Sequence, residues 1–90
     1  MESLKIKEMT IVIKGLSYNE VIELLSVAGL EEEKDDFYVD DFGLADAPYD
    51  NRPMIEISGN TSMEVEDMLY DLWEDVQDDY SEDEVEISFL

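Results

Sequence analysis

The segment from Glu66 to Glu84, EDMLYDLWEDVQDDYSEDE, holds ten acidic residues and no basic one. Carboxylates can ligate metal ions, transfer protons or present negative charge, and the residues around them decide among these uses. The chain contains no His and no Cys. Imidazole catalysis, thiolate chemistry and zinc binding through these ligands are therefore excluded, and the chemistry rests on the carboxylates themselves.

Four of these carboxylates fall on one side of a predicted helix over residues 62–80. At about 100° per residue they lie within roughly 60° of one another, with one carboxylate about every 5.5 Å. We call this set the carboxylate stripe; it consists of Asp67, Asp71, Glu74 and Asp78. Each strand of duplex DNA carries one charge about every 3.4 Å, which is a similar density. A basic partner is therefore one interpretation, and an ordinary solvated helix face is the other.

The absence of compensating bases favours the first interpretation. Outer helix faces ordinarily mix signs, because Glu–Lys pairs three or four residues apart stabilise a helix. Further candidate residues for partner binding flank the stripe or lie in a second acidic run, EEEKDD, whose acids we call the acidic loop. They are Glu66, Tyr70, Asp75 and Asp79 beside the stripe, and Glu31, Glu32, Glu33, Asp35 and Asp36 in the loop, which is predicted to be solvated.

Aromatic residues also lie among the acids. We predict that most of Tyr38, Phe42, Tyr49 and Tyr70 pack against the core, and that Tyr70 is the most exposed of them. An exposed ring beside carboxylates suits Arg or Lys of a basic partner through cation–π contact.

Metal binding and catalysis find little support in the sequence. The segment DYSEDEVEISFL has Glu84 where a calcium-binding EF-hand loop needs Gly, and Leu90 where it needs Glu. Adjacent acids such as Asp40–Asp41 are expected by chance at this composition, and so short a chain offers little room for a glycosidase cleft. We therefore expect no enzyme activity, no cofactor and no metal site.

The distribution of charge bounds the class of partner. Residues 1–30 carry four acidic residues against three lysines, whereas residues 31–90 carry 22 acidic residues against one lysine and one arginine. The net charge of −21 repels nucleic acid and anionic membranes, so neither is expected to bind directly. The first residues show no signal-peptide pattern, and no segment approaches the roughly 20 apolar residues of a membrane span. We expect a cytoplasmic protein.

The elements that must position the carboxylates follow from hydrophobic periodicity. Residues 1–90 are predicted to form a single acidic α+β domain, with strands at 9–14, 37–42, 54–58 and 84–90 and helices starting at capping boxes Ser17/Glu20 and Thr61/Glu64. The opposite alternation of residues 4–6 predicts a bulge near Lys7–Glu8, and residues 43–53 are predicted to be a loop. The order β-α-β-β-α-β is that of the split βαβ, ferredoxin-like arrangement, an antiparallel sheet with two helices on one face.

The chain resembles the small acidic DNA-mimic proteins of phages and other mobile elements. The resemblance lies in its size, its lack of His and Cys, and the segment EDMLYDLWEDVQDDYSEDEVE. It implies a host-cell inhibitor that blocks the DNA-binding site of a basic protein such as the nucleoid protein HU, a restriction enzyme or a CRISPR nuclease. The alternative is an acidic adaptor or chaperone for a basic partner, without competition by DNA. A homodimer that uses the edge of the last strand, which ends in Phe89 and Leu90, or surfaces near it is also predicted.

Overall fold

The computed structural model describes residues 8–46 and 49–90, apart from the side chain of Asp46. The predicted bulge at Lys7–Glu8 therefore extends outside the described residues. The elements are β1 (Met9–Lys14), α1 (Tyr18–Val27), β2 (Phe37–Asp46), β3 (Asp50–Gly59), α2 (Met63–Asp79) and β4 (Glu86–Phe89). The predicted α+β class is confirmed.

The four strands form one antiparallel sheet in the spatial order β2-β3-β1-β4. At its centre Ile11 of β1 faces Ile57 of β3, and Ile13 faces Ile55. Along β1 the side chains alternate between buried and partly exposed, so that one face of the sheet is covered. β2 and β4 are the edges, and α1 packs beside β2 while α2 packs beside β4.

A single core joins the covered face of the sheet to both helices. Trp73 and Leu69 of α2 are fully buried there, together with Val21 of α1 and Phe37 of β2. These residues recur every three or four positions along each helix and every two along each strand, which is the pattern that the sequence predicts. The buried stripe of α2 holds the opposite stripe, with its carboxylates, toward solvent.

The helix starts show one confirmed cap and one corrected cap. The Ser17 side chain accepts from the Glu20 N–H at 3.2 Å, and Glu20 accepts from the Ser17 N–H at 2.9 Å, which is the predicted capping box. At α2 the predicted Thr61/Glu64 box is wrong. Ser62 is the N-cap and accepts from the Val65 N–H, because Thr61 is buried and the helix begins one residue later.

The predicted loop over residues 43–53 is also wrong, because most of it is a β-hairpin. β2 continues to Asp46 and β3 begins at Asp50, and the two strands pair with each other along this stretch. β1 pairs with β3 only at residues 54–59. We call residues 42–46 and 49–52, which extend beyond β1, the hairpin arm. A register shift after Asp41 marks its base, where Gly43 takes a positive φ of 80° and donates its N–H to the Asp41 side chain. A bulge of this kind accommodates turn-forming residues, and those residues are why the sequence predicts a loop here instead of a strand.

Gln77 fastens α2 to the outer edge of β4. Its side-chain amide donates to the Val85 carbonyl at 2.8 Å and accepts from the Ile87 N–H at 2.7 Å. Both groups point away from β1, since the Leu90 N–H donates to Thr10 of β1 and hydrogen-bonding direction alternates along a strand. The predicted homodimer stays a prediction, but pairing of β4 with a second copy at Val85 and Ile87 would have to displace Gln77.

Candidate functional site

The carboxylate stripe lies on the solvent side of α2. Asp67, Asp71, Glu74 and Asp78 are all exposed, while Leu69, Trp73 and Val76 on the other side are buried. The helix has 17 residues, and the stripe covers about 16 Å of its length. The predicted geometry of the stripe is therefore confirmed, although its function is not tested by geometry.

Within the described residues no ion pair involves the stripe. Among residues 8–46 and 49–90 both ion pairs are made by Arg52, which leaves the stripe without one. The last turn of α2 contains Asp78 and Asp79 and no basic residue, although the helix macrodipole favours cations at that end by about 0.3–1 kcal/mol each. Acidic residues at this end of α2 therefore lower the free energy of unfolding.

The melting temperature of the protein should consequently rise with salt. The Debye length falls from roughly 14 Å at about 0.05 M salt to roughly 4 Å at about 0.5 M. If screening removes about 1 kcal/mol of repulsion, Tm rises by about 4–8 °C for a domain of this size. Thermal unfolding followed by circular dichroism across this salt range measures the effect, and a flat response would contradict the repulsive picture. A variant lacking the four stripe charges should show a smaller rise.

The flanking candidates divide into exposed and engaged residues. Asp75 and Asp79 are exposed beside the stripe. Glu66 is partly buried and accepts from the Tyr70 hydroxyl at 3.2 Å. The Tyr70 ring meets Phe89 of β4 edge-on at 5.1 Å between centroids, so the prediction that Tyr70 is the most exposed aromatic is wrong. Desolvation raises the pKa of Tyr70, and the charge of Glu66 adds to the rise.

The acidic loop is an ordered turn rather than a simply solvated run. Glu32 accepts from the Val39 N–H at 2.9 Å and lies 3.5 Å from the Tyr18 hydroxyl, and Asp35 accepts from the Glu31 N–H at 2.8 Å. Glu32 and Asp35 are therefore partly buried and hold the loop together. The exposed acids of the loop are Glu31, Glu33 and Asp36.

The loop and the stripe do not form one continuous patch. The loop leads into β2, and α2 packs beside β4, which is the opposite edge of the sheet. They share the end of the sheet where Phe37 pairs with Gly59, shortly before α2 begins. The stripe then extends from this end toward Glu82, Asp83 and Glu84, which are exposed at the other end. Negative charge thus occupies both ends and one helix face.

Arg52 links the base of the hairpin arm to the segment after α2. Its guanidinium donates to Asp50 at 2.7 and 2.9 Å, to the Glu82 carbonyl at 3.0 Å and to Glu86 at 3.3 Å. Arg52 has no role predicted from the sequence, since a lone arginine in a predicted loop gives no signal of these distant partners. The Arg52 side chain and N–H together lower the pKa of Asp50 to about 2.

Replacing Asp50 with Asn should make the free energy of unfolding depend less on pH in the acidic range. Because the folded-state pKa of Asp50 lies below its ordinary value of 3.8, its contribution is present above that value and is lost as pH falls toward about 2. The variant should be less stable than the wild-type protein near neutral pH, and the difference should shrink as the pH is lowered. Urea unfolding at a series of pH values measures this difference, and a difference independent of pH would contradict the assignment.

Three aromatic side chains that the sequence predicts to be packed are exposed in the structure. Tyr38, Phe42 and Tyr49 are 53%, 51% and 89% exposed, so the prediction that most of these rings pack against the core is wrong. Phe42 and Tyr49 stand on the hairpin arm, beyond the part of the sheet that the helices cover. Alternating Phe42 and Leu44 could have indicated a continuing strand, but the Gly, Pro and Asn residues nearby outweighed that signal.

The described residues contain no grouping of three or more acidic side chains close enough to hold a metal ion. Two of the cavities that the described residues form are shallow. One, of about 190 Å³, lies between α1 and the acidic loop and is lined by Ile22, Leu25 and Leu30 with Glu31 at its rim. The other, of about 350 Å³, is lined mainly by polar groups beside Tyr38 and Asn60. The first is smaller than the roughly 300–1,000 Å³ of typical small-molecule sites, and the second is open and polar rather than apolar.

Neither of the two described helices has both the length and the apolar character needed to cross a bilayer. Comparison of the chain with protein-family models, with curated proteins and with solved structures finds no match.

Proposed function

We propose that this protein is a non-enzymatic DNA mimic that blocks the DNA-binding site of a basic host protein. The observation that supports this function best is the carboxylate stripe, whose four acids are exposed and without an ion-pair partner among the described residues. Over about 16 Å the stripe presents four charges, where one strand of duplex DNA presents about five phosphates. A site built for a phosphate backbone would meet a similar line of charge.

The support beneath the stripe suits this role. A mimic must hold its charges in place, because a mobile acidic segment would lose conformational entropy on binding. Trp73 and Leu69 anchor the opposite side of α2 in the core, and Gln77 bonds the helix to β4. The charges therefore project from a helix that is fixed on the sheet before any partner arrives.

We also propose that the scaffold is a ferredoxin-like, split βαβ arrangement. The element order β-α-β-β-α-β and the spatial order β2-β3-β1-β4 support it, since each βαβ unit leaves room for one intervening antiparallel strand. In such an arrangement the face of the sheet opposite the helices can bind RNA. Here that face carries Asp40 and Glu56, which disfavour direct binding of nucleic acid.

Competition with DNA tests the proposed function. The protein is immobilised and exposed to bacterial lysate proteins that have been retained on and eluted from a heparin column, which enriches DNA-binding proteins. Proteins captured at low salt are then challenged with duplex DNA and, as a control, with an equal concentration of neutral dextran. We expect duplex DNA to displace the captured protein and dextran to leave it bound.

A ternary complex would favour the alternative function. If the captured protein binds DNA and the acidic protein at the same time, the acidic protein acts as an adaptor or chaperone and not as a mimic. Gel filtration of the three components together distinguishes the outcomes, because a mimic yields two separate binary complexes. Capture that is insensitive to salt would count against both functions, since both depend on charge.

A further inference from the structure

The hairpin arm concentrates large apolar side chains in one exposed element. Phe42 is 51% exposed, Leu44 is 54% exposed and Tyr49 is 89% exposed. Phe42 and Leu44 lie on the part of β2 that extends beyond β1, and Tyr49 lies in the turn just before β3 begins at Asp50. Single exposed apolar residues need no explanation, but a group of them on one short projection marks an interaction surface.

Exposed carboxylates lie at the base of the arm, and the arginine on its returning strand is already paired with carboxylates. Asp40 and Asp41 are exposed at the base of the arm. Arg52, on the returning strand, is paired with Asp50 and Glu86 at 2.7 and 3.3 Å. The arm therefore offers exposed apolar side chains with negative charge at its base, and its arginine leaves little free positive charge to repel a basic partner.

Charge complementarity selects the occupant. A second copy of this chain would bring another −21 charge against the arm, and nucleic acid would be repelled in the same way. Aromatic rings beside carboxylates instead favour guanidinium and ammonium groups, which the ring face and the carboxylates both attract. We propose that the hairpin arm docks a basic protein partner, with Phe42, Leu44 and Tyr49 packing against apolar residues and arginine stems of that partner.

This inference rests on the proposed function, from which the basic character of the partner follows. It implies that two surfaces, the carboxylate stripe and the hairpin arm, both contribute to the affinity. Attraction between charges weakens as salt screens it, whereas burial of apolar area does not weaken with salt. The carboxylate stripe then sets the salt dependence of binding. The hairpin arm sets the affinity that persists at high salt.

Two peptides of equal length and charge test the arm directly. In one peptide arginine alternates with leucine, and in the other it alternates with glycine. Calorimetry should show that the full-length protein binds the leucine peptide at least about tenfold more tightly than the glycine peptide, a ratio expected when a few apolar anchors are buried. Backbone amide resonances of the arm should shift with the leucine peptide.

A matched pair of variants locates the effect. The first combines Phe42→Ser, Leu44→Ser and Tyr49→Ser on the arm. The control combines Val27→Ser, Met63→Ser and Leu90→Ser, whose side chains are 83%, 79% and 74% exposed elsewhere. Both keep the net charge, and the arm variant alone should lose the preference for the leucine peptide while its binding of the glycine peptide stays unchanged.

The outcomes separate the arm from the proposed function. Equal binding of the two peptides by the wild-type protein, or unshifted arm resonances, would overturn the arm as the docking element and leave the stripe in place. Failure of both peptides to bind at low salt would overturn the basic partner and, with it, the arm. Concentration-dependent dimerisation that the arm variant abolishes would show that the occupant is a second copy, which also overturns the proposal. The resonance shifts use the wild-type chain, so they decide the question even if a variant fails to fold.

Discussion

Changing Asp67, Asp71 and Asp78 to Asn and Glu74 to Gln should weaken binding of the captured basic protein by about 30- to 1,000-fold at low salt. The estimate takes roughly 0.5–1 kcal/mol for each of four exposed ion pairs, which gives about 2–4 kcal/mol in total. The plot of affinity against salt should also become shallower, because fewer charge contacts remain to be screened. Folding should persist or improve, since all four side chains are exposed and mutually repulsive.

A second variant with four charges removed elsewhere provides the control. Glu8→Gln, Glu20→Gln, Glu23→Gln and Glu56→Gln lie outside the stripe, the acidic loop and the hairpin arm, and they remove the same number of charges. Gln at residue 20 can still accept the capping bond from the Ser17 N–H. Affinity and salt slope are measured for both variants in parallel, with duplex DNA as competitor. Equal losses in the two variants would mean that net charge matters and position does not. Unchanged affinity in the stripe variant would move the site to the acidic loop.

Replacing Gly15 with Ala should remove about 3–5 kcal/mol from the free energy of unfolding, which is a large part of the 5–15 kcal/mol typical of a domain. Gly15 has a φ of 108°, and a Cβ there would overlap the backbone carbonyl of Glu84. The strain and the overlap add, because backbone atoms on both sides cannot move aside without disturbing β1 and the start of β4. Urea denaturation measures the loss.

Two other glycines serve as controls for this effect. Gly29 and Gly43 also have positive φ values, of 82° and 80°, but a Cβ on either would meet no atom within 4 Å. Their replacement by Ala should cost only the conformational strain, about 1–2 kcal/mol each. If all three variants lose the same stability, the close approach of Gly15 to Glu84 contributes nothing.

Features that depend on local periodicity can be predicted from the sequence. Features that depend on contacts between distant segments of the backbone cannot. Trp73 and the stripe acids could be placed on opposite sides of α2 because a helix repeats every 3.6 residues. The Ser17 cap could be predicted because its partner is three residues away. The hairpin arm could not, because its Gly, Pro and Asn residues also favour loops and its strand pairing is set by a register shift.

The candidate site follows the same division. The exposure of the stripe follows from spacing alone. The structural use of Glu32 does not, because its partners, the Val39 N–H and the Tyr18 hydroxyl, are brought to it only by folding. The exposure of Tyr70 is wrongly predicted for a related reason. Its ring contacts Phe89, and that contact exists only once β4 has joined the sheet.

The bonds that Gln77 makes to Val85 and Ile87 protect an edge of the sheet by a means other than charge. An exposed strand edge invites addition of strands from other molecules and thus aggregation, and many proteins prevent this by placing charged residues along the edge. Here the uncharged Gln77 side chain already bonds two of the outward groups, the Val85 carbonyl and the Ile87 N–H, so this part of the protection persists when acid or salt has suppressed electrostatic repulsion. That part of the edge is then guarded without the acids of the neighbouring helix, so their number and spacing are free to serve the proposed function.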